Sequence, residues 1–433
     1  NMTFNTTGTT PTIPGSSTVN AVRGDEIGAL LKEFFLSPVQ EQLNRETVAL
    51  ELFEKARVSW AGRVAIVPVH LGAKSGTGSV SFSDGGTVPA AREQDYAKLS
   101  IDAKRLLARF QVDGMIMAAA KKGSSDQVIN WMEGTMDALK SDVRDTMNTM
   151  TFSGGRILGF LNENKAGLAG ASWEFSGDIV KAEAHRASGA NSVEVIRLDT
   201  YAVVGAATAI TSTSSVDSTI VLTNAIDTSA VPDGVAFAVQ VVSTTEFASE
   251  PSGLYEAVGI QTYLTLDRTT ATGTHTILQS NGITHNNSGT AARNALSLDR
   301  LQAAIDTVLD ASGEDVDTIF MNPLTRHAYT ALLQASLQVN GEKAGRGDGG
   351  FTGLSYGGVD MRMSRACGRG MLVLLTVKHI KILELEGGKF ADFDGSALSR
   401  VSGNDTAEGY WKHYYNQVCT RPNAQAVLVG FNI

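Results

Sequence analysis

Residues 72–86 hold five glycines in fifteen positions and almost nothing apolar. On either side Val64, Ile66, Val67 and Val69, then Leu99 and Ile101, recur at the short period of β-strands. The stretch 58–97 therefore reads as a long hairpin whose tip, around Lys74, Gly76 and Gly78, has no core of its own. Ordering such a tip costs conformational entropy that it cannot offset within its own chain, so it must gain burial on a neighbouring molecule. A chain built this way is constrained to a fold with a projecting limb.

The same economy recurs at the N-terminus. Residues 1–22 contain no charged side chain and are dense in Thr, Ser, Gly and Pro, the composition of a tail or of an arm laid on another surface. Ile27, Leu30, Leu31, Phe34 and Phe35 then mark one face of a helix, and Ser37-Pro38-Val39-Gln40 reads as the capping box of a second. The strongest helix signal opens at Ser124 with Gln127 three positions on. Val128, Trp131, Met132, Leu139, Val143 and Met147 keep one apolar face, with Glu133, Asp137, Lys140 and Arg144 opposite. This strut ends at Ser153-Gly154-Gly155.

From 192 to 285 Val, Thr, Ser and Ala dominate, no lysine occurs between Lys181 and Lys343, and period-2 runs appear at Thr219–Leu222, Val235–Val242 and Tyr263–Leu266. These predict a β-rich inserted unit. Leu298, Leu301, Ile305, Val308 and Leu309 return to a helical stripe, and Asn322-Pro323 is an N-cap followed by Pro at the first helical position. Strands are expected at 371–377, 380–385, 410–419 and 424–431, the last two joined as a hairpin through Thr420-Arg421-Pro422-Asn423.

With 433 residues the chain has room for two to four packing units, since domains average about 150 residues. Its 36 Lys+Arg against 45 Asp+Glu give a net charge of −9, and the longest basic runs are the pairs Lys104-Arg105 and Lys121-Lys122. That argues against a dedicated nucleic-acid groove. Two cysteines, Cys367 and Cys419, cannot build a disulfide framework or a four-thiolate site. No apolar run approaches the length of a membrane span, and no basic then apolar leader precedes the fold, so neither membrane insertion nor secretion is expected.

Several short motifs suggest chemistry. Gly353-Leu354-Ser355-Tyr356-Gly357 matches the G-x-S-x-G elbow of serine hydrolases, with His379, His413, Asp360 and Asp392 following. The elbow needs a strand before the serine and a helix after it, whereas a glycine-rich loop (341–358) precedes and a strand-like Val359–Met363 follows. Gly345 to Gly350 matches G-x-G-x-x-G, but outside a strand-to-helix turn, so no dinucleotide cofactor is implied. Arg346-Gly347-Asp348 is a chance tripeptide of a Gly-rich loop. The seven histidines show no metal-ligand spacing, and Asp392-Phe393-Asp394-Gly395 lacks the later ligands of a calcium loop, so no metal is implied. Sequons at Asn286 and Asn404 carry little without a secretion signal.

Taken in order, the uncharged arm, projecting hairpin, strut helix, α/β unit with a β insertion and closing strands resemble the major capsid protein of tailed bacteriophages, the HK97-like α+β fold. The ending Tyr410 to Phe431, with Arg421-Pro422-Asn423-Ala424 and an apolar strand closing on Gly430-Phe431, carries the resemblance most specifically, and Asn322-Pro323 with its helix adds to it. The resemblance implies an N-arm (1–57), an E-loop (58–97), a P-domain with the spine helix (98–160, returning at 383–420), an A-domain (161–382) holding the 192–285 insertion, and a C-terminal β hairpin (410–433). It implies a structural protein, not an enzyme, that forms pentamers and hexamers of an icosahedral shell around double-stranded DNA, with portal, scaffold and decoration proteins as further partners. Assembly would take place in the bacterial cytoplasm and the product would be the virion capsid. Some family members join an E-loop lysine to a P-domain asparagine of a neighbour; by location Lys74 and Asn404 take those places, but Lys412 stands where the catalytic acid is expected, which leaves non-covalent packing. Two other readings are an encapsulin-type nanocompartment shell, which has the same fold, and a hydrolase using Ser355.

Overall fold

The computed structural model describes residues 48–56, 60–72, 95–115, 125–161, 169–187, 192–198, 202–215, 218–227, 237–242, 256–265, 269–270, 273–274, 283–285, 296–337, 354–390, 399–400 and 403–431. The N-terminal arm and its helices to residue 47, the hairpin tip, Ser124 and the Gly-rich loop through Gly353 lie outside them, as do the side chains of Val128, Trp131 and Met132.

Along the chain come helix α1 (Val48–Leu52), strands β1 (Glu54–Ala56), β2 (Trp60–Ala61), β3 (Val64–Gly72), β4 (Asp95–Asp102) and β5 (Lys104–Asp113), and the long helix α2 (Ser125–Ser153). Strands β6 (Ile157–Leu161) and β7 (Ala169–Gly177), helix α3 (Ile179–Ala187) and strands β8 (Ser192–Arg197), β9 (Val203–Ser214), β10 (Thr219–Asp227) and β11 (Phe237–Val241) follow. Then come α4 (Ile260–Thr265), the two-residue strands β12 (Thr269–Thr270) and β13 (Gly273–Thr274), and β14 (Ile283–His285). The remainder is α5 (Leu298–Ser312), β15 (Thr318–Met321), α6 (Pro323–Leu337), β16 (Leu354–Tyr356), β17 (Val359–Met363), β18 (Met371–Leu375), β19 (Ile380–Phe390), β20 (Ser399–Arg400), β21 (Thr406–Cys419) and β22 (Ala426–Val429). These elements make an α+β fold.

The residues group into two compact units. The smaller draws its described residues from 108–139 and 390–411, and the larger holds the rest. In the smaller unit β5 lies beside β21 and β20 pairs antiparallel with β21.

Three arrangements organise the larger unit. Strands β10, β7, β6, β11, β8 and β9 close into an antiparallel barrel. Its filling follows from period-2 alternation: Trp173 and Phe175, Val193 and Val195, Ile220 and Leu222, Phe237 and Val239 all point inward and are buried. Ile179 and Ala182 of α3 join the same core. Closure leaves no open sheet edge. The barrel begins at Ile157, directly behind α2, so β6 and β7 belong to it although they precede the composition change at 192. Their short Gly- and Ser-containing sequences carry no strong strand signal.

The second arrangement is a six-stranded mixed sheet in the order β14-β22-β18-β15-β17-β16. Its central strands are buried on both faces, and neighbouring residues alternate between two cores. Ile319 and Met321, Leu372 and Leu374, Ala426 and Leu428 meet Leu301, Ala304 and Val308 of α5 and Tyr329 of α6. Phe320, Met371, Val373, Val427 and Val429 face a second core with Phe152 and Tyr263. Helix α5 ends where Gly313 takes φ 66° and donates its N–H to Leu309 O at 2.7 Å. Helix α6 starts as its sequence indicates: Asn322 Oδ1 accepts the Leu324 N–H at 3.1 Å and its Nδ2 donates to Cys367 O at 2.9 Å.

The third is the hairpin base on a sheet containing β1, β19 and β21. Strands β3 and β4 pair from Val64↔Asp102 to Gly72↔Asp95. One face packs Ala65 and Ile101 on Leu383 and Val418.

Two sequence expectations are corrected. Of the run expected as strand at Tyr263–Leu266, the described residues are helical: in Ile260–Thr265 the polar Gln261, Thr262 and Thr265 are as buried as Ile260 and Leu264, and six residues are too few for a 3.6-residue period to be read. The last two strands are not a hairpin. β21 belongs to the sheet with β19, and β22 pairs with β18 and β14, because a 3-10 turn, Pro422–Ala424, carries the chain from one sheet to the other.

Candidate functional site

The sequence points to surfaces rather than to a catalytic pocket. Lys74, Gly76 and Gly78 lie outside the described residues. What is described is the hairpin base that would carry them. Trp60 Nε1 donates to Glu384 O at 3.2 Å, and Asn416 Nδ2 to Asp102 O at 2.7 Å, so the base is bolted to β19 and β21. Its other face shows Ile66 at 42% and Tyr96 at 64% exposure, with the Tyr96 ring tilted against His70 at 5.0 Å between centroids. Asn404 sits exposed in the turn between β20 and β21, beside Gly403 with φ 84°. That turn is held by Asp405, whose carbonyl accepts the Gly114 N–H at 2.7 Å.

The outward side chains of β19 and β21 carry interlocked charge. Lys412 Nζ is 3.2 Å and Lys389 Nζ 2.6 Å from Glu386, and these two lysines, Lys389 foremost, hold the Glu386 carboxyl below the usual carboxylate range. In the smaller unit Glu408 takes Arg109 at 3.6 Å and Gln111 at 3.4 Å and accepts from Tyr410, whose hydroxyl pKa that bond raises. His413, buried, lies 3.4 Å from Glu384 and stacks on Tyr415 at 4.7 Å.

Sequence reasoning missed two charged joints. Lys181 on α3 donates to Ser153 O at 2.6 Å, Gly155 O at 3.0 Å and Glu256 Oε2 at 2.7 Å, tying the barrel to the end of α2. Glu314 gathers His379, Lys378 and Arg421. Their members are far apart in sequence and conform to no motif, so only the fold reveals them. A 440 Å³ pocket between α3 and β9 is lined by Val180, Glu183, Arg186 and Thr213, with the Glu183 carboxyl lowered to about 2 by Arg186 and Thr213.

Ser355 lacks the setting of a nucleophile elbow. It sits on β16, whose antiparallel partner β17 follows through a Gly357-Gly358 turn instead of a helix. Its carbonyl accepts the Tyr329 hydroxyl, while His379 and His413 are engaged with Glu314 and Glu384 and Asp360 lies 3.9 Å from Arg362. Among the described residues no group of three His, Cys, Asp or Glu is placed to hold a metal ion, and no helix is long and apolar enough to cross a membrane.

No protein-family model and no curated protein matches the sequence. Solved structures do. A chain of the Cyanophage A-1(L) capsid asymmetric unit superposes with a TM-score of 0.52 at 8% identity, over 91% of this chain and 95% of that one. The fold is that of a phage capsid protein. Weaker likenesses are a chain of the native GTA particle capsid (TM-score 0.45, 10% identity, 92% and 96% covered) and one of the Cyanophage P-SCSP1u capsid (0.42, 12%, 93% and 94%). In this chain Asn404 and the Ile66/Tyr96 face of the hairpin base are exposed.

Proposed function

We propose that this chain is the major capsid protein of a tailed bacteriophage with the HK97-like fold. The observation that carries the reading is the structural likeness to a cyanophage capsid chain over 91% of the length. In this reading the chain self-assembles as pentamers and hexamers into an icosahedral shell around double-stranded DNA, with the N-arm at 1–57, the E-loop at 58–97, the P-domain at 98–160 and 383–420, and the A-domain at 161–382. The tip residues Lys74, Gly76 and Gly78 and the exposed Asn404 are intersubunit contacts, held by packing without a covalent link. Portal, scaffold and decoration proteins are its partners, the host cytoplasm its place of assembly, and the virion its destination.

A net-acidic subunit suits this role. A charge of −9 disfavours tight binding to packaged DNA, which a container must release. The test is size-exclusion chromatography with negative-stain electron microscopy on the purified full-length chain, alone and co-expressed with the candidate scaffold of the same source. Hollow shells or five- and six-membered rings are expected; a monodisperse monomer in both conditions overturns the reading.

A further inference from the structure

Among the described residues, two direct strand-to-strand crossings connect the β19/β21 sheet with the six-stranded sheet. β18 passes into β19 through the 3-10 turn Val377–His379, and β21 into β22 through Pro422–Ala424. The crossings bond to each other. Thr420 donates its N–H to His379 O at 3.0 Å, Thr376 donates its N–H to Gln425 Oε1 at 2.9 Å, and Gln425 Nε2 donates to Thr376 O at 3.1 Å.

One carboxylate holds both. Glu314, in the loop between α5 and β15, places Oε2 at 2.5 Å from His379 Nε2 and 3.1 Å from Lys378 Nζ, and Oε1 at 2.5 Å from Arg421 Nη1. Arg421 also donates to Ser312 O at the end of α5. The other carboxylate at the joint, Asp317, accepts the Val377 N–H at 3.1 Å, and Asp315 takes part through its carbonyl, which accepts the Thr376 hydroxyl at 3.2 Å.

We propose that Glu314 is a charge-dependent latch that sets the angle between the two sheets, closed while its carboxylate is ionised and released when that charge is lost. The two crossings depend on one shared partner. Both crossings are short turns of weak 3-10 geometry, and two cations, Lys378 and Arg421, approach the same partly buried acceptor. Remove its charge and they face each other without compensation, so both crossings loosen together. The apolar core that contains Leu375, Ile380, Cys419 and Val427 spans the joint and does not include Glu314, so release alters an angle without separating the sheets. Burial alone would raise the Glu314 carboxyl, but His379, Lys378 and Arg421 outweigh it and hold the group below the usual range. The latch is therefore fully closed above the ordinary carboxyl value of about 4.5 and opens as pH falls through the lower folded-state value. This inference rests on the joint alone and not on the capsid reading.

The test is pulsed dipolar spectroscopy on the full chain with spin labels at Thr307→Cys on α5 and Leu385→Cys on β19, both exposed. Cys367 and Cys419 are buried and stay unlabelled. A single narrow distance is expected at neutral pH. Glu314→Gln at neutral pH, and the parent chain at the acid end of a series descending from pH 4.5, should each show a second population or a width increased about twofold, and Glu314→Gln should not change further with acid. Leu301→Ala, which loosens the α5 core without touching the latch, should leave the distribution narrow. An unchanged distribution in Glu314→Gln overturns the proposal, and so does equal broadening in Leu301→Ala.

Discussion

At the scale of single residues, the end of α2 shows how tightly this chain is drawn together. A Cβ on Gly154 would lie 2.2 Å from Ala257 O and 2.3 Å from Met150 O, both backbone atoms that cannot swing aside. Gly154→Ala should therefore destabilise the larger unit by roughly 2 kcal/mol or more, read as a lower urea midpoint with unchanged slope. Lys181 sits in the same joint, with its side chain 19% exposed and Glu256 36% exposed. Lys181→Met removes three charge-assisted bonds but leaves a carboxylate that water can reach, so the cost should stay near 2 kcal/mol. Acid acts on the same kind of contact. Glu314 and Glu386 are both held below the ordinary carboxylate range by their cations, so the stability they confer is complete above about pH 4.5 and is lost as pH falls through their folded-state values. A urea series from neutral pH down to about pH 3 should show the midpoint falling below pH 4.5, with a smaller fall in the Glu314→Gln, Glu386→Gln double variant.

At the scale of elements, the barrel is the cleanest case of sequence dictating structure. Leu222 is 1% exposed inside it, and Leu222→Ala should cost about 2–5 kcal/mol, while Leu309→Ala on the outer face of α5, 44% exposed, should change the urea midpoint little. The alternation that buries Ile220 and Leu222 is visible in the chain, as are the α5 stripe and the Asn322-Pro323 cap. What escaped reading has physical causes. Helix α4 is buried all round, so period two and period 3.6 look alike over its six residues. Beyond their pairing with each other, β6 and β7 join the barrel through partners 40 or more residues away, such as Phe237↔Leu161 and Ile220↔Trp173, and long-range pairing leaves no local signal. The separation of β21 from β22 likewise depends on Gln425 meeting Thr376, a contact no short motif encodes. Of the candidate contact residues, Asn404, expected in the segment before the last strands, lies in an exposed turn there. The charged joints at Glu314 and Lys181 were not legible, because each collects its partners from two chain segments distant from it and from each other.

At the scale of the whole molecule, the hairpin separates what the subunit needs from what a shell needs. Its base is folded by its own chain: Ala65 and Ile101 are buried, and Trp60 and Asn416 supply hydrogen bonds to or from the adjoining strands. Beyond Gly72↔Asp95 lie 22 residues whose sequence has no core to bury. Replacing 73–94 with Asn-Gly, a dipeptide suited to a two-residue hairpin turn, should therefore leave the circular dichroism spectrum unchanged and the melting temperature within about 2 °C, since no described packing is removed. In a shell, by contrast, that segment would bury its surface only on a neighbour, and its ordering would be coupled to association. The shortened chain should then fail to form particles under conditions in which the full chain does, as seen by size-exclusion chromatography and electron microscopy. Shells of normal size from the shortened chain would remove the hairpin tip from the assembly mechanism, and unfolding of the isolated subunit would show that the tip serves its own chain.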